Sequence, residues 1–450
     1  MNLDSTIDDF SKGVLEVDFP CVEIRQSVSK DGDFVGPGSL SMSAEGELNL
    51  KVHVAFDEPQ TMVDLLNGSM SSEAGALVPE DDYLKVVAKD AVASVWECPR
   101  VLFSHSVSFP TSSGVFNARP KVIRRTEPTR SATHRLRLYF FGQEMRDWKG
   151  LLGGPYTVAT TDWSVQLSIA EVSQGKIMVE VTSTADFPEA FERRLIEGLQ
   201  FVVGQHLHTA IVDEVMSSTR TLSLYSHAKD VRRVPAFPPL AINTSEHTAE
   251  HLSMLNCYLA YLSDQPDEGI WSRPSSFLSM LRRASESSID GWLIGICVAV
   301  EGLAGLIELA PSTLSSELIK FQSHVADWVK EEKISEDNRK RIEGLVGQLG
   351  AIRAQDRMIS LVASGHLIQD DLAVWKKVRN SAVHTRKSGA DDLKAEKLQV
   401  RIDHLHDVYR LLYSIIFHVI GYSGKFTDYA QHHFPVRAYP YPIPSAPTPA

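Results

Sequence analysis

Thirteen consecutive residues, Trp375-Lys376-Lys377-Val378-Arg379-Asn380-Ser381-Ala382-Val383-His384-Thr385-Arg386-Lys387, hold five cations, one histidine and no acid. The span 245–450 carries 22 basic and 25 acidic residues, so this segment stands out as a local positive patch. Such a field attracts phosphate. Arg379 offers a planar fork of donors matched to phosphate oxygens. His384, with an ordinary pKa near ~6.5, passes protons close to neutrality. RNA supplies its own nucleophile, the 2′-hydroxyl. Strand cleavage then needs a base for that proton, an acid for the leaving 5′-oxygen, and cations for the charge gathering on the phosphorane. Asn380 would orient the histidine or bond the ribose or phosphate. Lys376, Lys377, Arg386 and Lys387 would position the polymer backbone, with a contribution that falls as salt rises. The products would be a 2′,3′-cyclic phosphate and a 5′-hydroxyl, with no metal or other cofactor.

The surrounding residues place this patch on a helix. Asp370 and Asp371 suit a helix N-terminus, and Ser388-Gly389 suits a stop, which predicts a helix from Leu367 to about Val383. On a regular helix Arg379 and His384 would stand about 140° apart and about 7.5 Å along the axis. One straight helix therefore cannot close the site. Either the helix ends near Val383 and His384 turns inward, or the site is completed from outside this helix. Glu301 lies in an otherwise apolar run, Trp292 to Ala310, and must find a partner there, with Arg379 or a neighbouring cation as the candidate.

The wider chain divides in two. From about Gly13 to Ser226, apolar and polar residues alternate in short bursts, as in Glu47–Phe56, Arg135–Phe141 and Lys176–Val181, with Gly- and Pro-containing turn signals between them. This predicts a β-rich, sandwich-like domain over 1–233, with one helix from about Pro188 to Gln200. Three prolines in Val234-Pro235-Ala236-Phe237-Pro238-Pro239-Leu240 mark a linker over 234–246. Helical spacing follows over 247–435: Thr248–Leu262, Ser275–Ser288, Gly291–Leu309, Ser312–Lys330, Ser335–Leu349, the segment above, and Asp392–Ile420. In the last, Ile402, Leu405, Tyr409, Leu412, Ile416 and Val419 form an apolar stripe that neighbouring helices or a second copy of the chain must cover. Six prolines between Pro435 and Pro449 predict an extended tail over 436–450. The fold class is α+β.

Against this frame the sequence resembles a known family. Arg379-Asn380-Ser381-Ala382-Val383-His384 fits the signature of HEPN domains, an arginine and a histidine separated by four to six residues with a polar residue directly after the arginine. Val298-Ala299-Val300-Glu301-Gly302-Leu303 looks like the early HEPN helix that carries a glutamate. Ile420-Gly421-Tyr422-Ser423-Gly424-Lys425-Phe426 is similar to the C-terminal signature of ApeA-like HEPN proteins, and the likeness extends over about 250–435. In the first half, Gly36-Pro37-Gly38-Ser39-Leu40 before a strand resembles the β-rich domain of those anti-phage proteins. The resemblance implies an all-α HEPN bundle and a metal-independent endoribonuclease with Arg379, Asn380 and His384 at a homodimer or higher-oligomer seam. It also implies RNA, including tRNA, as substrate, a phage-derived trigger, and a toxic role in abortive infection. The alternative is a non-catalytic HEPN scaffold that binds RNA or protein.

Composition bounds the remaining choices. With 45 Lys plus Arg against 57 Asp plus Glu, the net charge of -12 excludes a passive nucleic-acid coat. Four separated cysteines form no C-x-x-C, and the polar, acidic N-terminus lacks the pattern of a secretory signal, so a cytoplasmic protein is expected. No charge-free apolar run approaches the ~20 residues of a membrane span. The P-loop, dinucleotide, nucleophile-elbow and zinc-protease motifs are absent. His206 and His208, the Asp403-His404-His406-Asp407 group and His432-His433 lack the spacing of a helical zinc site. Trp96, Trp148 and Trp163 would line a ligand groove in the β half or, as the expected case, pack in its aromatic core.

Overall fold

A computed structural model describes residues 2–26, 34–55, 83–108, 113–227, 237–266, 270–308, 316–332, 334–349, 353–383 and 395–441. The turn at Asp31-Gly32-Asp33, the linker residues Val234 to Ala236 and the tail beyond Tyr441 lie outside them. The chain forms two compact units, 1–192 with 207–233 and 242–248, and 193–206 with 234–241 and 249–450.

The first unit opens with a helix, α1 (Leu3–Lys12), inside the stretch read as a polar terminus. Leu3, Ile7 and Phe10 recur at helical spacing and are buried, the Asn2 side chain caps the start, and Gly13 ends it in the left-handed region at φ 76°. Among the described residues, hydrogen bonds join fourteen antiparallel strands into one sheet, ordered β10-β11-β12-β9-β13-β14-β8-β5-β4-β1-β2-β3-β7-β6. Their ranges are β1 (Glu16–Gln26), β2 (Phe34–Met42), β3 (Leu48–Ala55), β4 (Leu84–Lys89), β5 (Val95–Val101), β6 (Phe103–Ser108) and β7 (Ser113–Ala118). They continue with β8 (Val122–Pro128), β9 (His134–Phe141), β10 (Gly153–Ala159), β11 (Ser164–Ser173), β12 (Lys176–Ser183), β13 (Thr209–Val215) and β14 (Thr219–Tyr225).

The alternation in the sequence sets which side chains go inward. On β9, Leu136, Leu138 and Phe140 are buried, while Arg135 and Arg137 meet Asp213 of β13 on the other face. Asp213 is fully buried and also accepts from Arg220 Nε of β14 at 2.7 Å, so its charge is paired rather than stranded. Pro20 cannot donate to the ladder, and the register of β1 on β2 shifts between Phe19 and Val22. Trp96 and Trp148 are buried as core residues, and Trp163 packs edge-on to Phe191 at 5.2 Å between ring centres.

Helix α2 (Phe191–Val203) reads as part of the first half, yet from Arg193 onward it belongs to the second unit. The reason is its buried face: the Phe201 ring stacks on Tyr258 at 4.7 Å and meets Tyr413 and Phe417. The unit continues with α3 (Thr248–Ser263), α4 (Arg273–Ser285), α5 (Ile289–Ala304), α6 (Ser316–Glu331) and α7 (Glu336–Leu349). It ends with α8 (Ala354–Ala363), α9 (Gln369–Val383), α10 (Ala395–Val419), and the hairpin β15 (Gly424–Thr427) and β16 (Val436–Tyr439). Helix α8 falls in a segment without a sequence-based helix expectation. Val436–Tyr439 starts the span read as a free tail, and pairing with β15 holds it in place.

Helix α5 packs against α4, α8, α9 and α10, which accounts for its apolar composition. A Cβ at Gly302 would come within 2.0 Å of the tip of the Phe277 ring of α4, so the glycine makes room for that ring against α5. Of the α10 stripe, Leu405, Tyr409, Leu412 and Ile416 are buried, while Ile402 and Val419 at its two ends are half-buried. Phe237 of the linker stacks on Tyr409 at 5.0 Å, and Pro239 and Leu240 are buried, so residues 237–240 pack within the helical unit rather than serving as a spacer.

Candidate functional site

Helix α9 presents two faces. Leu372, Trp375 and Val378 recur three apart and are buried, while Lys377, Arg379 and Asn380 are exposed and Lys376 is half-buried. The inward face anchors the helix on α5, where Trp375 Nε1–H points to the Cys297 carbonyl at 3.5 Å. This holds the basic face over the end of α5 that carries Glu301.

Arg379 and Glu301 form a bidentate pair. Nε donates to Oε2 at 2.9 Å and Nη2 to Oε1 at 3.0 Å. The Trp375 ring lies below, its centre 5.8 Å from the guanidinium carbon. Both partners are nearly half exposed, at 44% and 45%, so water screens the pair and its contribution to stability is at most ~1 kcal/mol. The geometry orients the guanidinium more than it stabilises the fold. Among the described residues Arg379 Nη1 has no partner, which leaves one edge of the fork for an anion.

The neighbouring titratable groups suit a proton-passive floor. Burial pushes the Cys297 thiol up to about 12, against the opposing pull of Arg379, so this cysteine stays protonated. Burial lowers His404 on α10, and the positive charge of Lys377 lowers it further, so that imidazole is neutral at pH 7. His406 is likewise lowered by burial. Among the described residues no group of three or more His, Cys, Asp or Glu side chains is arranged to hold a metal ion. His206 Nδ1 instead sits 3.1 Å from Gln200 Oε1, and the His432 and His433 rings lie against each other at 4.0 Å.

The structure thus brings together Arg379 and Glu301, with Asn380, Lys376 and Lys377 on the same helix. His384, Arg386, Lys387 and the loop before α10 lie outside the described residues. Glu301 continues a row: Ile294, Val298 and Glu301 stand four and three residues apart on α5 and are all exposed. Leu398 and Val400 are exposed on the first turns of α10, which Arg401 ties to Asp290 at the start of α5.

A second charged group supports the site and escaped sequence reasoning. Arg410 of α10 is buried and donates through Nε to Asp371 of α9 at 2.8 Å and through Nη1 to Asp428 at 3.0 Å. Asp428 also receives Arg437 Nε at 3.0 Å. The first turn of α9 is thereby clamped to α10, which fixes the axis along which Arg379 is presented. The available signal was an arginine inside the apolar run of α10, a cation that burial obliges to find carboxylates. No helix among the described residues is long and apolar enough to cross a membrane. No family model, curated protein or solved structure matches this chain.

Proposed function

We propose that the protein is a metal-independent endoribonuclease of the HEPN type whose site forms where two copies meet. The supporting observation is the Arg379–Glu301 pair: a solvent-reachable guanidinium, oriented by a carboxylate and an indole, with one edge unpartnered among the described residues. That edge would take a non-bridging phosphate oxygen. His384 would accept the 2′-hydroxyl proton as the sugar oxygen attacks phosphorus. The His384 of the second copy would donate a proton to the 5′-oxygen as its bond to phosphorus breaks. Asn380 would bond the ribose or phosphate, and Lys376, Lys377, Arg386 and Lys387 would hold the flanking backbone. The exposed Ile294, Val298, Leu398 and Val400 favour self-association, since a second copy would remove them from water. In this reading the β-rich unit senses a trigger, such as a phage component, and the cleavage of tRNA or other cellular RNA in the cytoplasm is the toxic output.

The second reading is a non-catalytic scaffold that binds RNA or protein. It draws on the same pair, because Glu301 already occupies two of the arginine's donors. Incubation of purified protein with total RNA in EDTA separates the two. The nuclease reading expects fragments ending in 2′,3′-cyclic phosphate, lost in both Arg379→Ala and His384→Ala. Equal cleavage by wild type and both variants overturns it, and dimerisation without cleavage of any RNA, triggered or not, favours the scaffold.

A further inference from the structure

Helices α6 and α7 form an antiparallel hairpin, in which Gln322 near the start of α6 donates through Nε2 to the Val346 carbonyl near the end of α7 at 3.3 Å. They pack on each other and make only stray contacts with the other described elements. Helices of 16 and 14 residues are marginal on their own, and an amphipathic face must be covered to hold them. Their seam is thin. Val329 is buried, while Gln322, Val325, Ile342 and Val346 are half-buried.

The large apolar side chains lie outside that seam. Phe321 is 50% exposed, Trp328 46% and Leu345 60%. Each stands one residue before a seam residue, Gln322, Val329 and Val346 in turn, so each is rotated about 100° back from the seam. In two antiparallel helices that rotation leads to the same side of the hairpin. Phe321, Trp328 and Leu345 therefore share one face, and Arg341, one residue before Ile342, joins them. Single exposed apolar residues are ordinary, but two aromatic rings and a leucine on one face of a hairpin mark an interaction surface.

This face is complementary to itself. A two-fold axis along the hairpin lays α7 of one chain against α6 of another and makes a four-helix bundle in which every adjacent pair runs antiparallel. Counted from the Gln322–Val346 contact, Arg341 is then level with Trp328 of the second copy, with Glu331 and Glu332 about one turn beyond. These three charged side chains are exposed, whereas Asp327 and Glu336 already pair with Lys330 and Lys340 of their own helices. Arg341 would meet an indole face and two carboxylates, and the symmetry repeats that contact. From the ~150–250 Å² that an aromatic side chain offers, the six apolar side chains of two copies would withdraw about 500 Å² from water. That is the core of a small, reversible interface.

We propose that the α6–α7 hairpin is a self-association arm that pairs with the same arm of a second copy, at a surface separate from Ile294 and Val298 of α5. The test is sedimentation equilibrium of the full-length chain across the micromolar range at fixed low salt. Mass should rise with concentration, and Phe321→Ser combined with Trp328→Ser should halve it at the upper end. Both residues are exposed, so circular dichroism should show the fold intact. Ile319→Ser, on the other side of α6, should leave the mass unchanged. Arg341→Glu should weaken association about tenfold, and adding Glu331→Lys and Glu332→Lys to the same chain should restore it. Restoration within one sequence is the signature of a second copy rather than a different partner. The inference is overturned if the double serine variant keeps the wild-type mass throughout, if wild type stays monomeric, or if the reversed charges restore nothing. No RNA cleavage enters this readout, so its failure leaves the nuclease reading standing.

Discussion

The guanidinium of Arg379 and the carboxylate of Glu301, 78 residues apart in sequence, meet through two parallel hydrogen bonds of 2.9 and 3.0 Å on the solvent side of the buried Trp375. Neither partner is needed to hold α9 on α5, because Leu372, Trp375 and Val378 do that from the opposite face. A pair that adds little stability but fixes direction is suited to presenting one side chain to a ligand.

Arg379→Lys should therefore differ sharply from wild type in RNA cleavage while unfolding at nearly the same urea concentration. Lysine keeps the charge but not the planar fork, so a loss of about 10²-fold or more is expected. Single-turnover cleavage measured beside urea melts checks this. Cleavage by Arg379→Lys within a few-fold of wild type would show that charge alone suffices.

Glu301→Gln removes the anion beside the proposed phosphate position while preserving size. RNA should bind more tightly and be cleaved more slowly, because the arginine loses its brace. The change in unfolding free energy should stay within about 1 kcal/mol for so exposed a pair. Filter binding and cleavage rates measured on one preparation read both effects.

Arg410→Ala leaves Asp371 and Asp428 buried without their shared cation, and should cost about 3–5 kcal/mol, enough to unfold the helical unit near physiological temperature. Arg410→Met, which fills the space but not the charge, paired with Asp371→Asn and Asp428→Asn, should recover part of that loss. Urea denaturation followed by circular dichroism measures it. A loss below 1 kcal/mol for Arg410→Ala would mean that water replaces the cation.

Asp407 ties stability to pH. Burial, followed by the negative charge of Asp371, raises its carboxyl to about 6, although Arg410 pulls the other way. The folded state thus holds this proton to a higher pH than the unfolded chain does. The group's favourable contribution is complete at the acid end, below the unfolded value of 3.8, and is lost as pH rises through about 6. Asp407→Asn should remove that slope and, for a half-buried group screened by water, stabilise the protein at pH 7 by about 1 kcal/mol. Melting curves from pH 4 to pH 7 for the two proteins, compared pairwise, test the sign.

Gly36 lies on β2 where a Cβ would meet the His53 carbonyl oxygen of β3 at 1.8 Å. Unlike a side chain, that backbone oxygen cannot swing aside without parting the ladder. Gly36→Ala should destabilise the β-rich unit by about 2 kcal/mol or more, through steric overlap between the two strands. Hydrogen exchange at the β2–β3 amides would register the opening.

The residue pattern by itself determined the α+β class, the β-rich first half and the helical second half. Alternation of period two and recurrence of period 3.6 are local properties that burial of one face imposes. It also marked the basic turn of α9 and singled out Glu301, because a lone charge in an apolar run demands a partner. The helix at Leu3–Lys12 was legible in the spacing of Leu3, Ile7 and Phe10 but masked by the acids between them. Only the tertiary structure decided which cation Glu301 meets, that α2 belongs with the helical unit, that Phe237 stacks on Tyr409, and that Val436–Tyr439 pairs with β15. It also decided that Arg410 clamps α9 through Asp371, and that Phe321, Trp328 and Leu345 share one face of a hairpin. These are encounters between residues tens to hundreds of positions apart, governed by how helices pack and where buried charges balance, and no local period encodes them.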